Sequence, residues 1–372
     1  MTTTPNLIVI AAGGTGGHMF PALALAQTLL DRGRSVALIT DRRAAARART
    51  LFPSGEIHVL PSAGLAGRGI WRGILALGAL AHTTLAARRI LRKTPPLAVI
   101  GFGGYPSAPP VLAARFMDHR PLILLHEQNA VLGRANRLLA RFADLLALSF
   151  AVTSRIPFGV KTTVTGNPVR CEITVRMGSP YQSPEFGSIR LLVLGGSLGA
   201  KVFSDVVPAA LAKLPEELRA RLIVTQQARE EDAAAVSEFY RAMGIAAQVA
   251  PFFEDVARLL ADAHLVISRS GASSVAELAV IGRPSILVPL PAAIDDHQTA
   301  NCRALVECQA AIWMPQPMLN ASLLSTLLSE FLAEPAKLAS MAAAAHAFSR
   351  PNAARDLADL IDTRLAERGI AA

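Results

Sequence analysis

The sequence predicts an α/β protein of two domains, each built on a parallel sheet. Short β-branched or Leu-rich runs alternate with longer Ala, Leu and Arg stretches of helical period, as successive βαβ units require. The short runs are apolar throughout rather than alternating, which marks strands covered by helices on both faces. The pattern also stops and restarts once, in a chain of 372 residues that can supply two cores at roughly 100 to 200 residues per domain.

In order, the first five strands are expected at residues 7–11 (LIVIA), 35–40 (SVALIT), 97–102 (LAVIGF), 121–127 (PLILLHE) and 145–150 (LLALSF). Gly166-Asn167-Pro168 and a polar, Gly- and Pro-containing stretch at 178–188 interrupt the alternation, so the domain boundary is placed at 165–170. Four more strands follow at 190–196 (RLLVLGG), 221–227 (RLIVTQQ), 264–270 (HLVISRS) and 284–290 (PSILVPL). Each half begins with a strand that runs into a Gly-rich loop and then a helix: Gly13-Gly14-Thr15-Gly16-Gly17 in one, Gly195-Gly196-Ser197-Leu198-Gly199 in the other. Glycine lets the backbone approach a ligand, and the following helix N-terminus offers N–H groups to an anion. The plainer reading is that such a loop only permits close packing of strand and helix.

Composition narrows the function classes. With 52% hydrophobic and 17% charged residues the chain is neither disordered nor fibrous. Cys171, Cys302 and Cys308 form no CxxC pair and no His cluster completes a zinc site, so reduced thiols and no metal site are expected. The N-terminus lacks a basic region and a long apolar run, and the apolar stretch at 73–81 is about half of a membrane span, so a cytoplasmic protein is expected. Residues 1–170 carry 20 Lys and Arg against 6 Asp and Glu, whereas 171–372 carry 17 against 22, giving +14 and −5. A basic half suits nucleic acid, anionic lipid or a phosphorylated substrate. Aromatic residues at 5% and the absence of a base-reading motif disfavour nucleic acid. The P-loop spacing is missing, and neither Gly-rich loop spells GxGxxG in frame, which leaves a nicotinamide enzyme using Asp41 as a weak alternative.

The remaining motifs form an ordered series: Gly13 to His18 followed by Pro21-Ala22-Leu23-Ala24, Gly101 to Ser107, His126-Glu127-Gln128-Asn129, Gly166 to Arg170, Gly195 to Ala200, Arg269 to Glu277, and Asp296 to Asn301. In this order and spacing the series resembles the MurG family of peptidoglycan glycosyltransferases, and the match runs from the first strand to beyond residue 300. The resemblance implies a GT-B fold: two Rossmann-like domains facing across a cleft. It assigns residues 1–165, with a last helix at 351–372 packing back on them, to a membrane-facing acceptor domain, and 166–350 to a UDP-sugar domain. It also implies inverting transfer of N-acetylglucosamine from UDP-N-acetylglucosamine to the C4 hydroxyl of the muramoyl sugar of lipid I. The product is lipid II for peptidoglycan synthesis, and with it come roles in cell wall biogenesis, cell shape and cell division, at the cytoplasmic face of the inner membrane. Another nucleotide sugar and acceptor, or a UDP-sugar epimerase, are the competing readings.

Sugar transfer from UDP needs the leaving diphosphate stabilised by a metal or by fixed charge and amides. No DxD sequence occurs, and no cofactor is expected; Arg170 and the amides around Ser197 are the candidates. By resemblance, Glu277 accepts from the ribose hydroxyls, the helix start Ala272-Ser273-Ser274-Val275-Ala276 lies against the nucleotide, Phe253 presents backbone to uracil, and Gln298 reads the sugar hydroxyls beside His297. Thr15, Gly16 and Gly17 would bring amides to the junction of donor and acceptor, and Asn129 would position substrate. The base that takes the acceptor proton is expected to be His18, which at a helix start can alternatively bind phosphate or cap the helix; Glu127 and His126 compete for the role. Between Arg68 and Lys93, Ile70, Trp71, Ile74, Leu75, Leu77 and Leu80 mix with Arg68, Arg72, Arg88, Arg89, Arg92 and Lys93. One face of such a helix packs on the sheet while the aromatic and basic groups dip toward anionic lipid.

Overall fold

The computed structural model describes residues 6–13, 16–53, 55–61, 70–196 and 199–370, with the side chains of residues 47 and 70–76 outside the description. The chain divides into two compact units: Met1–Arg170 together with Asn352–Ala372, and Cys171–Pro351.

In chain order the first unit contains β1 (Leu7–Ala11), α1 (Gly16–Asp31), β2 (Ser35–Asp41), α2 (Arg42–Leu51), β3 (Glu56–Leu60), α3 (Ile70–Lys93), β4 (Ala98–Gly101), α4 (Ala108–Arg115), β5 (Leu122–Glu127), α5 (Arg134–Leu139), β6 (Leu145–Leu148) and β7 (Thr162–Val164). The strands form one parallel sheet in the order β3-β2-β1-β4-β5-β6-β7. Strand β1 is buried along its whole length. Its alternate side chains serve two cores: Ile8 and Ile10 pack with Leu25 and Leu29 of α1, while Leu7 and Val9 pack with Leu91 of α3 and Val111 of α4. That double burial is why the sequence reads as a continuous apolar run.

The second unit contains α6 (Cys171–Val175), β8 (Ile189–Leu194), α7 (Lys201–Ala212), α8 (Glu216–Arg219), β9 (Leu222–Gln227), α9 (Glu230–Ala242), β10 (Ala246–Ala250), α10 (Val256–Asp262), β11 (Leu265–Ser268), α11 (Ala272–Ile281), β12 (Ser285–Leu287), α12 (His297–Glu307), β13 (Ala311–Trp313), α13 (Ala321–Ala333) and α14 (Pro335–Phe348). Its sheet is also parallel, in the order β10-β9-β8-β11-β12-β13, which repeats the winding of the first. In both sheets the strand order reverses beside the first strand, between β1 and β4 and between β8 and β11. Crevices at the carboxyl ends of strands flanking such a reversal are where open α/β sheets bind ligands.

The last helix, α15 (Ala353–Ala366), belongs to the first unit, where Leu357, Ile361 and Leu365 complete the core under α1. Ion pairs fix it there, Arg32 to Asp359 and Asp362 and Arg34 to Asp362. Beyond its end, Arg368 shares the Asp144 carboxylate with Arg120.

Among the described residues, nine of the thirteen strands coincide with the apolar runs of the sequence. The four it does not announce, β3, β7, β10 and β13, are the four sheet edges. Strand β10 is largely exposed, β3 is mostly half-buried, and β7 and β13 have three residues each. An edge strand needs no apolar residue on every position, so its signal in the sequence is weak.

Candidate active site

At the reversal in the first sheet, the loops after β1 and β4 touch. A Cβ on Gly13 would stand 2.7 Å from Cγ of Pro106, so the β1 loop passes beneath the turn after β4 only as glycine. That turn contains Gly103 and Gly104 at φ 79° and 70°, where side chains are strained. Gly16 and Gly17 open α1, and His18 follows in its first turn, half-buried. A Cβ on either Gly103 or Gly104 would stand 3.5 Å from the His18 ring, which thus lies across the turn. Thr15 lies outside the described residues.

The end of β5 supplies the ring's partner. His18 Nδ1 is 2.8 Å from Gln128 Oε1, and Gln128 Nε2 is 3.0 Å from His126 Nδ1. His126 is wholly buried, tilted against Phe102, with Nε2 2.9 Å from the carbonyl of Gly166. Burial pushes the His126 pKa down to about 4, so its ring is neutral. With both nitrogens engaged inside the protein, His126 is not placed as the base.

Glu127, the other competitor for that role, is also buried, and its carboxylate serves the loop that follows. Oε1 accepts from the backbone N–H and the side-chain amide of Asn129 at 3.0 and 3.1 Å; Oε2 accepts from Gly133 N–H and Asn136 Nδ2 at 2.9 Å each. A carboxylate holding four donors serves as a loop anchor in this structure, and the geometry favours His18 over Glu127 as the group open to a hydroxyl. Asn129 is thereby fixed at the end of β5. Arg170 closes the unit with its guanidinium 5.0 Å from the Phe20 ring, two residues beyond His18 on α1.

The second unit repeats the device. A Cβ on Gly195 would stand 2.7 Å from the carbonyl carbon of Gly199 and closer still to the Ala200 nitrogen, and Gly196 and Gly199 take φ of 81° and 67°. The loop is therefore closed tightly at the start of α7; Ser197 lies outside the described residues. Gln227, at the end of β9, accepts from Gly195 N–H at 3.1 Å and donates to the Pro251 carbonyl at 3.1 Å, joining this loop to the one carrying Phe253. Phe253 turns its ring inward while Phe252 is exposed.

After β11, Arg269 is buried, with a guanidinium that donates to the carbonyls of Val288 and Pro289 and to Gln316 Oε1, and lies 5.1 Å from the Phe203 ring. Burial lowers its pKa. Ser270 Oγ donates to the carbonyl of Gln298 at 2.9 Å, and Gly271 caps α11. At the helix start Ala272 and Val275 face the interior, while Ser273, Ser274 and Ala276 are half-buried; Glu277 is buried in the second turn. Gln298 Oε1 accepts from Leu290 N–H at 3.0 Å, so its amide hydrogens are the groups this side chain can offer a ligand. The loop before it holds Asp295 and Asp296 at φ 56° and 53°, consecutive left-handed residues of the kind that cluster at ligand sites. His297 Nδ1 is 2.8 Å from the Ile294 carbonyl, to which it donates. Sequence reasoning gave Gln128 no role within its motif and did not single out Gln227; both are amides whose role comes from the segments they join, which a linear motif does not display. Among the described residues no three His, Cys, Asp or Glu side chains are grouped to hold a metal ion.

Comparison with known proteins bears on both halves. The model of the glycosyltransferase family 28 N-terminal domain matches residues 8–147, and that of the family 28 C-terminal domain matches residues 190–360. A protein of Granulibacter bethesdensis named UDP-N-acetylglucosamine--N-acetylmuramyl-(pentapeptide) pyrophosphoryl-undecaprenol N-acetylglucosamine transferase is 55% identical over 96% of this chain and 94% of its own. A protein of the same name from Acidiphilium cryptum is 51% identical, with 98% of each chain covered. The crystal structure of Acinetobacter baumannii MurG matches with a TM-score of 0.79 at 30% identity, covering 96% of this chain and all of that one. This chain belongs to glycosyltransferase family 28.

Proposed function

We propose that the protein transfers N-acetylglucosamine from UDP-N-acetylglucosamine to the C4 hydroxyl of the muramoyl sugar of lipid I, forming lipid II. The observation that carries this reading is full-length identity of 47–55% to relatives whose name states that donor and acceptor.

The residues fit the chemistry. His18 takes the proton from the C4 hydroxyl as its oxygen attacks the anomeric carbon; the bond from that carbon to the diphosphate breaks with inversion, and UDP leaves with the electron pair. Arg170 and the amides of the loop around Gly196 and Ser197 stabilise the leaving diphosphate, and those of Thr15, Gly16 and Gly17 serve the reacting groups. Glu277 accepts from the ribose hydroxyls, the start of α11 lies along the nucleotide, Phe253 offers backbone to uracil, and Gln298 donates to the sugar. Asn129 positions substrate. In this reading the second unit holds the donor and the first holds the acceptor.

The same proposal puts the protein at the cytoplasmic face of the inner membrane, where lipid II synthesis serves cell shape and division. Among the described residues no helix is long and apolar enough to cross a bilayer. Support for surface binding comes from the first unit. Arg115, Arg120, Arg141 and Lys161 line an open recess of about 490 Å³, on which Phe158 is fully exposed. On α3, Leu80 and Ile90 pack toward the sheet while Leu77, Leu85 and Arg89 stay exposed; Arg68 and the side chains of Ile70, Trp71, Arg72, Ile74 and Leu75 lie outside the description.

The test is UDP release from UDP-N-acetylglucosamine in EDTA, with and without a short-chain lipid I analogue. Acceptor-dependent release with a disaccharide-lipid product by mass supports the reading. Acceptor-independent turnover would point to an epimerase, and UDP binding without release to another sugar or acceptor.

A further inference from the structure

The hydrogen bonds behind His18 run in one direction only. The carbonyl of Gly166 can only accept, so His126 Nε2, 2.9 Å away, carries the hydrogen between them. His126 is wholly buried and neutral, which leaves its Nδ1 as a bare acceptor. Gln128 fills that vacancy: its Nε2 stands 3.0 Å from His126 Nδ1 and 3.1 Å from the His126 carbonyl, one amide hydrogen for each. Turning the carboxamide over would set its oxygen against two acceptors, in a place where only 1% of Gln128 is exposed and water cannot compensate. The amide orientation is thus forced, and Oε1 points at His18 Nδ1, 2.8 Å distant. An amide oxygen only accepts, so His18 Nδ1 donates.

We propose that Gln128 is a positioning residue that holds His18 in the tautomer protonated at Nδ1, leaving the Nε2 lone pair to take the acceptor proton. The inference rests on the reading of His18 as base. It adds that the base is set by a relay reaching back to the Gly166 carbonyl, in the segment that ends at Arg170. Because the relay ends in a neutral carboxamide, it orients the ring without lending it a negative charge. The proton taken from the hydroxyl stays on His18, since Gln128 cannot accept it.

Two measurements test this. Nitrogen-15 spectra of histidine-labelled protein, with His18 assigned by its loss in His18→Ala, are expected to show Nδ1 protonated and Nε2 bare in the unsubstituted enzyme. A proton on Nε2 would overturn the proposal without any Gln128 variant having to fold. In Gln128→Leu, which keeps the bulk and removes the hydrogen bonds, the Nδ1–H preference of His18 is expected to disappear. Its kcat is expected to fall on the order of 10- to 100-fold, with KM for UDP-N-acetylglucosamine unchanged within about twofold. An unaltered tautomer in Gln128→Leu would likewise sink the idea. Loss of the tautomer preference with full kcat would leave Gln128's hold on His18 standing and remove His18 from the role of base.

Discussion

Arg34 and Asp362 meet at 2.8 Å across 328 residues of sequence, and the Arg34 side chain is only 5% exposed. Its other nitrogen donates to Asn6 Oδ1 at 2.6 Å, so the guanidinium is satisfied only while the last helix is docked. Removing the carboxylate in Asp362→Ala leaves a buried charge with donors unmet, at a cost of about 2 to 3 kcal/mol. The expected result is early loss of hydrogen-exchange protection in α1 and α15; unchanged protection there would mean that apolar packing and the remaining Arg32–Asp359 pair suffice to hold the helix.

His126 makes the first unit sensitive to mild acid. The unfolded chain binds a proton on this side chain below about pH 6.5, whereas the folded chain refuses it until about pH 4. The stability tied to neutral burial is complete above pH 6.5 and drains away as pH falls toward 4. A His126→Phe variant is expected to be less stable at pH 7 but to lose less of its thermal midpoint between pH 7 and 5. Equal slopes for the two proteins would contradict this account.

Gly195→Ala drives a methyl group into the backbone of Gly199 and Ala200, which cannot swing aside as a flexible side chain does. The loop at the start of α7 must open, and the amides offered there lose their arrangement. UDP affinity is expected to drop on the order of tenfold or more by calorimetry. Binding at the original strength would show that the diphosphate is held elsewhere.

Turnover and donor binding separate in two further variants. His18→Ala is expected to lower kcat about 100-fold or more while UDP affinity stays as it was. Glu277→Ala is expected to weaken UDP roughly 10- to 100-fold through the lost charged hydrogen bonds to ribose. The opposite pattern in either variant would exchange the roles assigned to them.

Neutralising Arg115, Arg141 and Lys161 together, each to Gln, probes the basic recess. At about 1 kcal/mol per basic residue near an anionic surface, partition onto vesicles containing phosphatidylglycerol is expected to fall on the order of 100-fold. Partition equal to the unsubstituted protein would direct attention to α3.

How much of this was written in the sequence follows from burial. Strands such as Leu7–Ala11 and Leu122–Glu127 lie between helices on both faces and announce themselves as unbroken apolar runs. Thr162–Val164 and Ala246–Ala250 sit at sheet edges, and their composition reads as loop. The same holds for the site. Glycines and the histidine of the first loop stand out because their chemistry is local. The division of labour within His126-Glu127-Gln128-Asn129 depends on which atoms come within about 3 Å of one another across the fold, and so the four donors on Glu127 are not legible in the motif.

The path of the chain sets a timetable for its folding. Strand β1 is made first, but the core it shares with α1 also needs Leu357, Ile361 and Leu365, which leave the ribosome only after the whole of the second unit. The unit begun first is finished last, with the flank of Leu25 and Leu29 lacking its cover until then. Along this chain the order of synthesis and the order of completion are reversed.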